Sequence, residues 1–251
     1  MKRRLPAALA VAAAAVALAF LVLPIAAIFL RVPPGELLHQ LTTPVVTDAL
    51  IVSAKTSAIA QVLILLFGTP LAYLLASRRF RGHGLLVTLV ELPLVLPPAV
   101  AGIALLAAIG GSLTFHTSAV VVALTFVAAP FYVRQGQAAF GAVDPSWLAA
   151  SRTLGASEAR TFARIAIPTA APGLVAGGAL AAGRALGEFG ATLMFAGSLQ
   201  GVTQTAPLAI YERFSSDFDD ALALSGVLVA VSLAILLTAK LVGGWDAADR
   251  R

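Results

Sequence analysis

Arg184 and Glu188 lie four residues apart inside a long apolar segment. On a helix that spacing places them one turn apart on one face, where a guanidinium and a carboxylate can pair. Ionisable groups at membrane depth are costly and face a protein interior or a watery cavity. Two roles are therefore open for this pair: holding helices together, or touching a substrate in passage. The surrounding segment carries Gly173, Gly177, Gly178, Gly183, Gly187, Gly190 and Gly197, with small residues four apart. Such spacing lets helix backbones approach closely.

A second stretch reads Glu91-Leu92-Pro93-Leu94-Val95-Leu96-Pro97-Pro98. Proline removes backbone donors and kinks a helix. In hydrocarbon the freed carbonyls must be met by protein or by water in a cavity. Pro93, Pro97 and Pro98 are thus candidates for a substrate pathway, or for a kink that serves only packing. Glu91, near one end of the segment, can reach interfacial water.

The third stretch is polar and spans residues 144–168. Asp144 can cap a helix whose first residue is Pro145, a position with a spare backbone N–H. That helix would carry Trp147, Ala150, Ser151 and Leu154 on one face. Gly155 permits a left-handed turn. Ser157 can cap a second helix holding Glu158, Arg160, Phe162, Arg164 and Ile165, which Pro168 would end. A helix–Gly–helix unit, apolar on one side and basic on the other, suits docking to a partner or lying in the lipid interface.

Other chemistries lack their residues. No Gly-x-x-x-x-Gly-Lys-Ser/Thr loop occurs to cradle nucleotide phosphates, and no Gly-x-Ser-x-Gly or His-Glu-x-x-His motif appears. His39, His83 and His116 fall in three separate loops without metal-ligand spacing, so no metal site is expected. With no cysteine among 251 residues, thiol catalysis, disulfides and iron–sulfur clusters are excluded.

The elements that must position these residues are membrane helices. Hydrophobic residues make up 59% of the chain and charged residues 12%, with mean hydropathy +0.94. A soluble domain is about one-quarter charged, so this chain cannot cover a water-soluble surface. Apolar runs over residues 5–30, 49–76, 85–109, 118–133, 169–197 and 221–243 predict about six transmembrane helices in an all-α, polytopic bundle. The first run far exceeds the ~7–15 apolar residues of a signal peptide, which favours a retained helix. Lys2, Arg3, Arg4, Arg78, Arg79, Arg81, Arg134, Arg152, Arg160, Arg164, Lys240, Arg250 and Arg251 fall on one side of this topology. The opposite loops hold only Arg31 and Arg213 and are otherwise acidic. Both termini are then cytoplasmic. The net charge of +5 and pI near 10.2 follow from the inner loops and need no nucleic acid.

In its polar loop the chain resembles the permease subunits of bacterial ABC importers. Their cytoplasmic motif is Glu-Ala-Ala, three residues, Gly, nine residues, Ile-x-Leu-Pro. Here Ala149-Ala150-Ser151, Gly155 and Ile165-Ala166-Ile167-Pro168 stand at that spacing. Ala149, Ser151 and Ile167 depart from it, and without the Glu any ion pair it makes to an ATPase is lost. Arg184-Ala185-Leu186-Gly187-Glu188-Phe189-Gly190-Ala191-Thr192-Leu193-Met194 and the Thr203-Gln204-Thr205 loop are similar to the molybdate branch of the family.

The resemblance implies one transmembrane domain over residues 1–251, of the type I importer fold, with a coupling loop at 144–168. It implies a homodimer in the bacterial cytoplasmic membrane. Two cytoplasmic ABC ATPases would bind ATP and Mg, with no cofactor on this chain, and an extracytoplasmic binding protein would deliver molybdate or the nearly isosteric tungstate. Ala149, Ala150, Ser151, Gly155, Ile165 and Pro168 would couple to the ATPase. Pro93, Pro97, Pro98, Gly183, Arg184, Gly187 and Glu188 are the pathway or gate candidates. Thr203, Gln204, Tyr211, Glu212 and Arg213, within the outer loop 198–220, are the candidates for contact with the binding protein. A sulfate or thiosulfate permease, or an intramembrane enzyme built on Glu188, is the alternative.

Overall fold

The computed structural model describes residues 4–242. The terminal basic residues Lys2, Arg3, Arg250 and Arg251 lie outside the described residues. All regular elements among the described residues are helical. Five helices are long and apolar enough to cross a membrane, six when a bent pair counts as one span.

The first span is α1 (Arg4–Arg31), followed by the short α2 (Pro34–Gln40). The second, α3 (Pro44–Ser77), has 34 residues, about 50 Å of helix, so it outruns the ~30 Å hydrocarbon layer. The third span is α4 (His83–Val95) and α5 (Pro98–Ile109), bent by 115° at the break. The fourth, α6 (Thr117–Gly141), leads to α7 (Pro145–Thr153) and α8 (Glu158–Thr161). A π-helical turn, Phe162–Ala166, joins α8 to α9 (Ile167–Leu186), the fifth span. Then come α10 (Gly190–Ala196), α11 (Ala206–Ser216) and the last span, α12 (Phe218–Val242).

Three expectations are corrected by these boundaries. The third span is a break, not a continuous kinked helix over 85–109. Each residue before a proline is pushed out of the α region, and two consecutive prolines do this twice. Leu96 has ψ 132 and Pro97 has ψ 134, both extended. A lone Pro93 is absorbed within α4. Second, the helix expected over 169–197 stops at Leu186 and resumes at Gly190. Third, Pro168 does not end the helix that Ser157 starts. The π turn widens the backbone, with Ile167 N–H reaching Phe162 O, and so makes room for a ring that would clash with the carbonyl four residues back. The fourth span runs on past its apolar run 118–133, since α6 carries Arg134 and continues to Gly141.

The core lies where α3, α6 and α9 pack together. Its buried members are largely alanines with Ile64, Leu75, Leu124, Val127, Tyr132 and Phe140. In lipid, helix association rests on close van der Waals contact between small residues, and the glycines of α9 show this directly. A Cβ on Gly173 would sit 2.5 Å from Ala139 Cβ of α6, and one on Gly177 3.0 Å from Gln135 Cβ. Two polar contacts tie these faces together. Tyr132 and Thr69 share a 2.6 Å hydroxyl hydrogen bond, and Gln61 donates to Gly178 O at 3.2 Å. Gly183, by contrast, would meet nothing within 4 Å.

Gly173→Leu should therefore lower stability by about 1–3 kcal/mol through overpacking, read as a fall in thermal midpoint in detergent. Gly183→Ala should be neutral or stabilising by roughly 0.5–1 kcal/mol. Equal losses in both would contradict the assignment of the two faces of α9.

Candidate functional site

The broken third span meets the segment that follows the fifth. Glu188 sits in the gap between α9 and α10 and is 1% exposed. Its Oε1 accepts the Ala191 N–H at 2.7 Å, closing the first turn of α10. Its Oε2 pairs with Arg184 Nη2 at 2.5 Å. A carboxylate at the start of a helix meets amide dipoles and otherwise unpaired N–H groups, so Glu188 stabilises the break that the sequence leaves open. Arg184 keeps 27% of its side chain exposed.

α10 rests directly on α5. A Cβ on Gly190 would approach Pro98 Cβ to 2.9 Å, and one on Gly102 would meet Ala191 O and Met194 Cβ at 2.7 Å. The structure thus brings Pro98, Glu188 and the backbone of α10 into one neighbourhood. Pro97, Pro98, Gly183 and Gly187 are exposed. Pro93 lies apart, within α4, and is half-buried. Glu91 forms a 2.8 Å ion pair with Arg134 of α6, so it is tied across the bundle and does not merely reach water. Gly102 had no sequence signal beyond being a glycine in an apolar run. Phe115 had none either, yet it holds φ 65 with its ring under Gly197.

At the opposite end of α6 the polar loop forms a rigid unit. Asp144 Oδ1 accepts the Ser146 N–H at 2.8 Å, a bond that holds its carboxyl below the ordinary carboxylate range. α7 ends in a Schellman turn: Ala156 N–H reaches Ser151 O, Gly155 N–H reaches Arg152 O, and Gly155 has φ +80. Ser157 Oγ accepts the Arg160 N–H at 3.3 Å. Arg152 grips Glu158 through two bonds of 2.7 and 3.1 Å. That pair lowers the Glu158 pKa, first through the hydrogen bond. Ser151 shares a 3.0 Å hydroxyl bond with the buried Thr161, which ties α7 to α8.

One side of this unit is open. Trp147, Ala150, Ser151, Leu154, Arg160, Arg164 and Ile165 line a groove of about 640 Å³. Leu154 is 87% exposed, and Ala149 and Pro168 are exposed as well. The root of the unit is fixed instead: Phe162 stacks on Tyr73 of α3 (ring centroids 4.7 Å) and on Phe140 of α6 (6.0 Å).

The 198–220 segment, expected as a loop, contains α11 packed on α3 and α12. Thr203, Gln204 and Thr205 are buried and shape it from within. Leu199 N–H donates to Thr203 Oγ1 at 2.9 Å, Gln204 contacts Glu212, and Ala206 N–H donates to Ser53 Oγ at 2.7 Å. Tyr211 and Glu212 are exposed, and half-buried Arg213 pairs with Asp220 at 2.7 Å. Exposed Phe214 and Phe218 extend the same surface. Among the described residues, no group of three or more His, Asp or Glu could hold a metal ion.

Residues 68–245 match the family described as "Binding-protein-dependent transport system inner membrane component". The chain belongs to that family. It is a multi-pass membrane component of a transport system. It is 43% identical over 231 residues to the molybdenum transport system permease protein ModB of Mycobacterium tuberculosis, covering 87% of this chain and 88% of the relative. It is 32% identical over 235 residues to the sulfate transport system permease protein CysT of Escherichia coli, covering 87% and 85%. The fold matches a crystal structure of a bacterial ABC transporter involved in import of the acidic polysaccharide alginate, with TM-score 0.73 at 17% identity over 97% of this chain and 96% of that one.

Gly155 makes the polar loop testable. Only glycine, or at some cost asparagine, is comfortable at φ +80. Gly155→Val should insert and fold normally in the membrane yet lose transport, whereas Gly155→Asn should retain most of it. Normal transport by the valine variant would contradict a coupling role for this turn.

Proposed function

We propose that this chain is the permease of a type I ABC importer, working as a homodimer, that carries molybdate into the cell and accepts the nearly isosteric tungstate. The observation that carries the substrate is the 43% identity to a molybdenum permease over 87% of the chain, well above the 32% to a sulfate permease over the same share. Support for the partners comes from the family and from the open surfaces. The groove beside α7 offers an apolar anchor, Leu154, with Arg160 and Arg164 on its rim, which suits a cytoplasmic ATPase bound to each copy. Tyr211, Glu212 and Phe214 present an aromatic and acidic surface at the other end, which suits the binding protein.

In this reading ATP and Mg bind the ATPases, whose closure pushes on residues 144–168. Because Ser151–Thr161 and Arg152–Glu158 lock α7 to α8, and Phe162 is wedged between α3 and α6, the push moves whole spans and not a flexible loop. Rocking of the two copies then opens the path to one side at a time. Selection of the anion falls to the binding protein, because a path that bound its cargo tightly would release it slowly.

The test is uptake of radiolabelled molybdate in cells deleted for this gene, with tungstate and sulfate as competitors. Loss of uptake that the gene restores, with competition by tungstate but not by sulfate, is the expected result. Unchanged molybdate uptake with lost sulfate uptake would overturn the substrate in favour of sulfate.

A further inference from the structure

Arg184 and Glu188 are unequal partners. Glu188 is sealed from solvent and anchored a second time on the Ala191 amide, so it keeps one hydrogen bond whatever Arg184 does. Arg184 is more than one-quarter exposed and borders the open side of α9, where Gly183 and Gly187 are exposed and a Cβ on Gly183 would meet no neighbour. The guanidinium alone can turn toward the open side without moving the backbone.

A tetrahedral dianion crossing a low-dielectric region needs a cationic donor at some point, and arginine matches oxyanions with two parallel N–H bonds. An unopposed arginine would trap such a cargo, and a carrier that must release it cannot tolerate that. The Glu188 carboxylate, 2.5 Å from Arg184, supplies the opposing anion.

We propose that Arg184 is the transient contact for the oxyanion within the membrane, and that Glu188 is its built-in competitor, which takes the guanidinium back and expels the cargo. The exchange trades one carboxylate–guanidinium pair for one oxyanion–guanidinium pair, with no bond made or broken covalently. It also reaches the hinge. While Arg184 holds cargo, Glu188 keeps only the Ala191 N–H, so the α9–α10 break loosens during passage. Glu188 is thus a positioning residue and Arg184 a binding one. The identity of the oxyanion rests on the substrate reading above; the exchange itself does not.

The test uses the complete transporter, permease with its ATPase, in lipid nanodiscs without binding protein. Equilibrium binding of radiolabelled molybdate is compared for the wild type, Glu188→Gln, and Glu188→Gln with Arg184→Gln. Glu188→Gln should bind molybdate roughly tenfold tighter or more, about the effect of losing one charged competitor, and, in proteoliposomes supplied with the binding protein, should take molybdate up more slowly at saturation. The double variant should lose the gained binding. An assembled Glu188→Gln transporter that binds no better than wild type would overturn the proposal. So would a double variant that transports at the wild-type rate, which would leave the pair a purely structural one.

A second measurement on the wild type needs no variant to fold. Excess molybdate should slow modification of Arg184 by phenylglyoxal, followed by mass spectrometry of the peptide, and unchanged modification would likewise overturn the exchange. Wild-type uptake of sulfate in place of molybdate would overturn the substrate alone, and the same binding series run with sulfate would then decide the exchange.

Discussion

A chain in hydrocarbon must satisfy its own backbone hydrogen bonds, and a helix can therefore break only where protein covers the break. Most of this structure follows from how that constraint is met at two places. Residues 96 and 97 leave the helical region because each precedes a proline, and residues 187–189 leave it at the end of α9. The two interruptions cover one another: α10 lies on α5, with Gly190 and Gly102 bringing the backbones into contact. Glu188 supplies the remaining bond by capping Ala191. Two breaks that would each be costly alone become a single packed layer, next to a surface left open by Gly183 and Gly187.

The membrane core meets the same constraint by a different route. Lipid offers no hydrophobic gain for pressing helices together, so α3, α6 and α9 are held by close contact of alanine and glycine faces, with a few internal hydrogen bonds such as Tyr132–Thr69. That packing is stiff, because interdigitated small residues leave little room to shift. Stiffness matters at the end that carries the polar loop, where Phe162 enters the aromatic contact with Tyr73 and Phe140. In the proposed importer a force applied at α7 reaches the spans through these turns, and the π turn keeps α8 and α9 continuous despite Pro168.

The polar loop shows how completely local chemistry can specify a shape. Its cap at Asp144, proline at the first helical position, left-handed Gly155 and cap at Ser157 are all short-range devices, and each is in place. None depends on a distant partner. The side chain at position 149 is not used to hold this shape, because Ala149 faces outward. Whatever that position gives to a partner surface, it gives nothing to the turn.

By itself the sequence determined the membrane class, the number of spans and the cap–turn–cap of the polar loop, while the structure added the pairing of Arg184 with Glu188. The first three depend on composition, apolar length, and spacings of three or four residues along one helix. Only the tertiary structure decided that α9 stops at Leu186, that Pro168 continues a helix, that Thr203 and Gln204 point inward, and that Gly102 lies under Met194. The last of these depends on contact between residues far apart in the chain, and the helix end and the π turn on local bonds that apolar spacing does not reveal. A proline that ends one helix is absorbed by a π turn in another, and a glycine in an apolar run is a seam or mere filler according to what packs against it. Apolar periodicity cannot tell these apart, because in a membrane both the packed face and the lipid face are apolar.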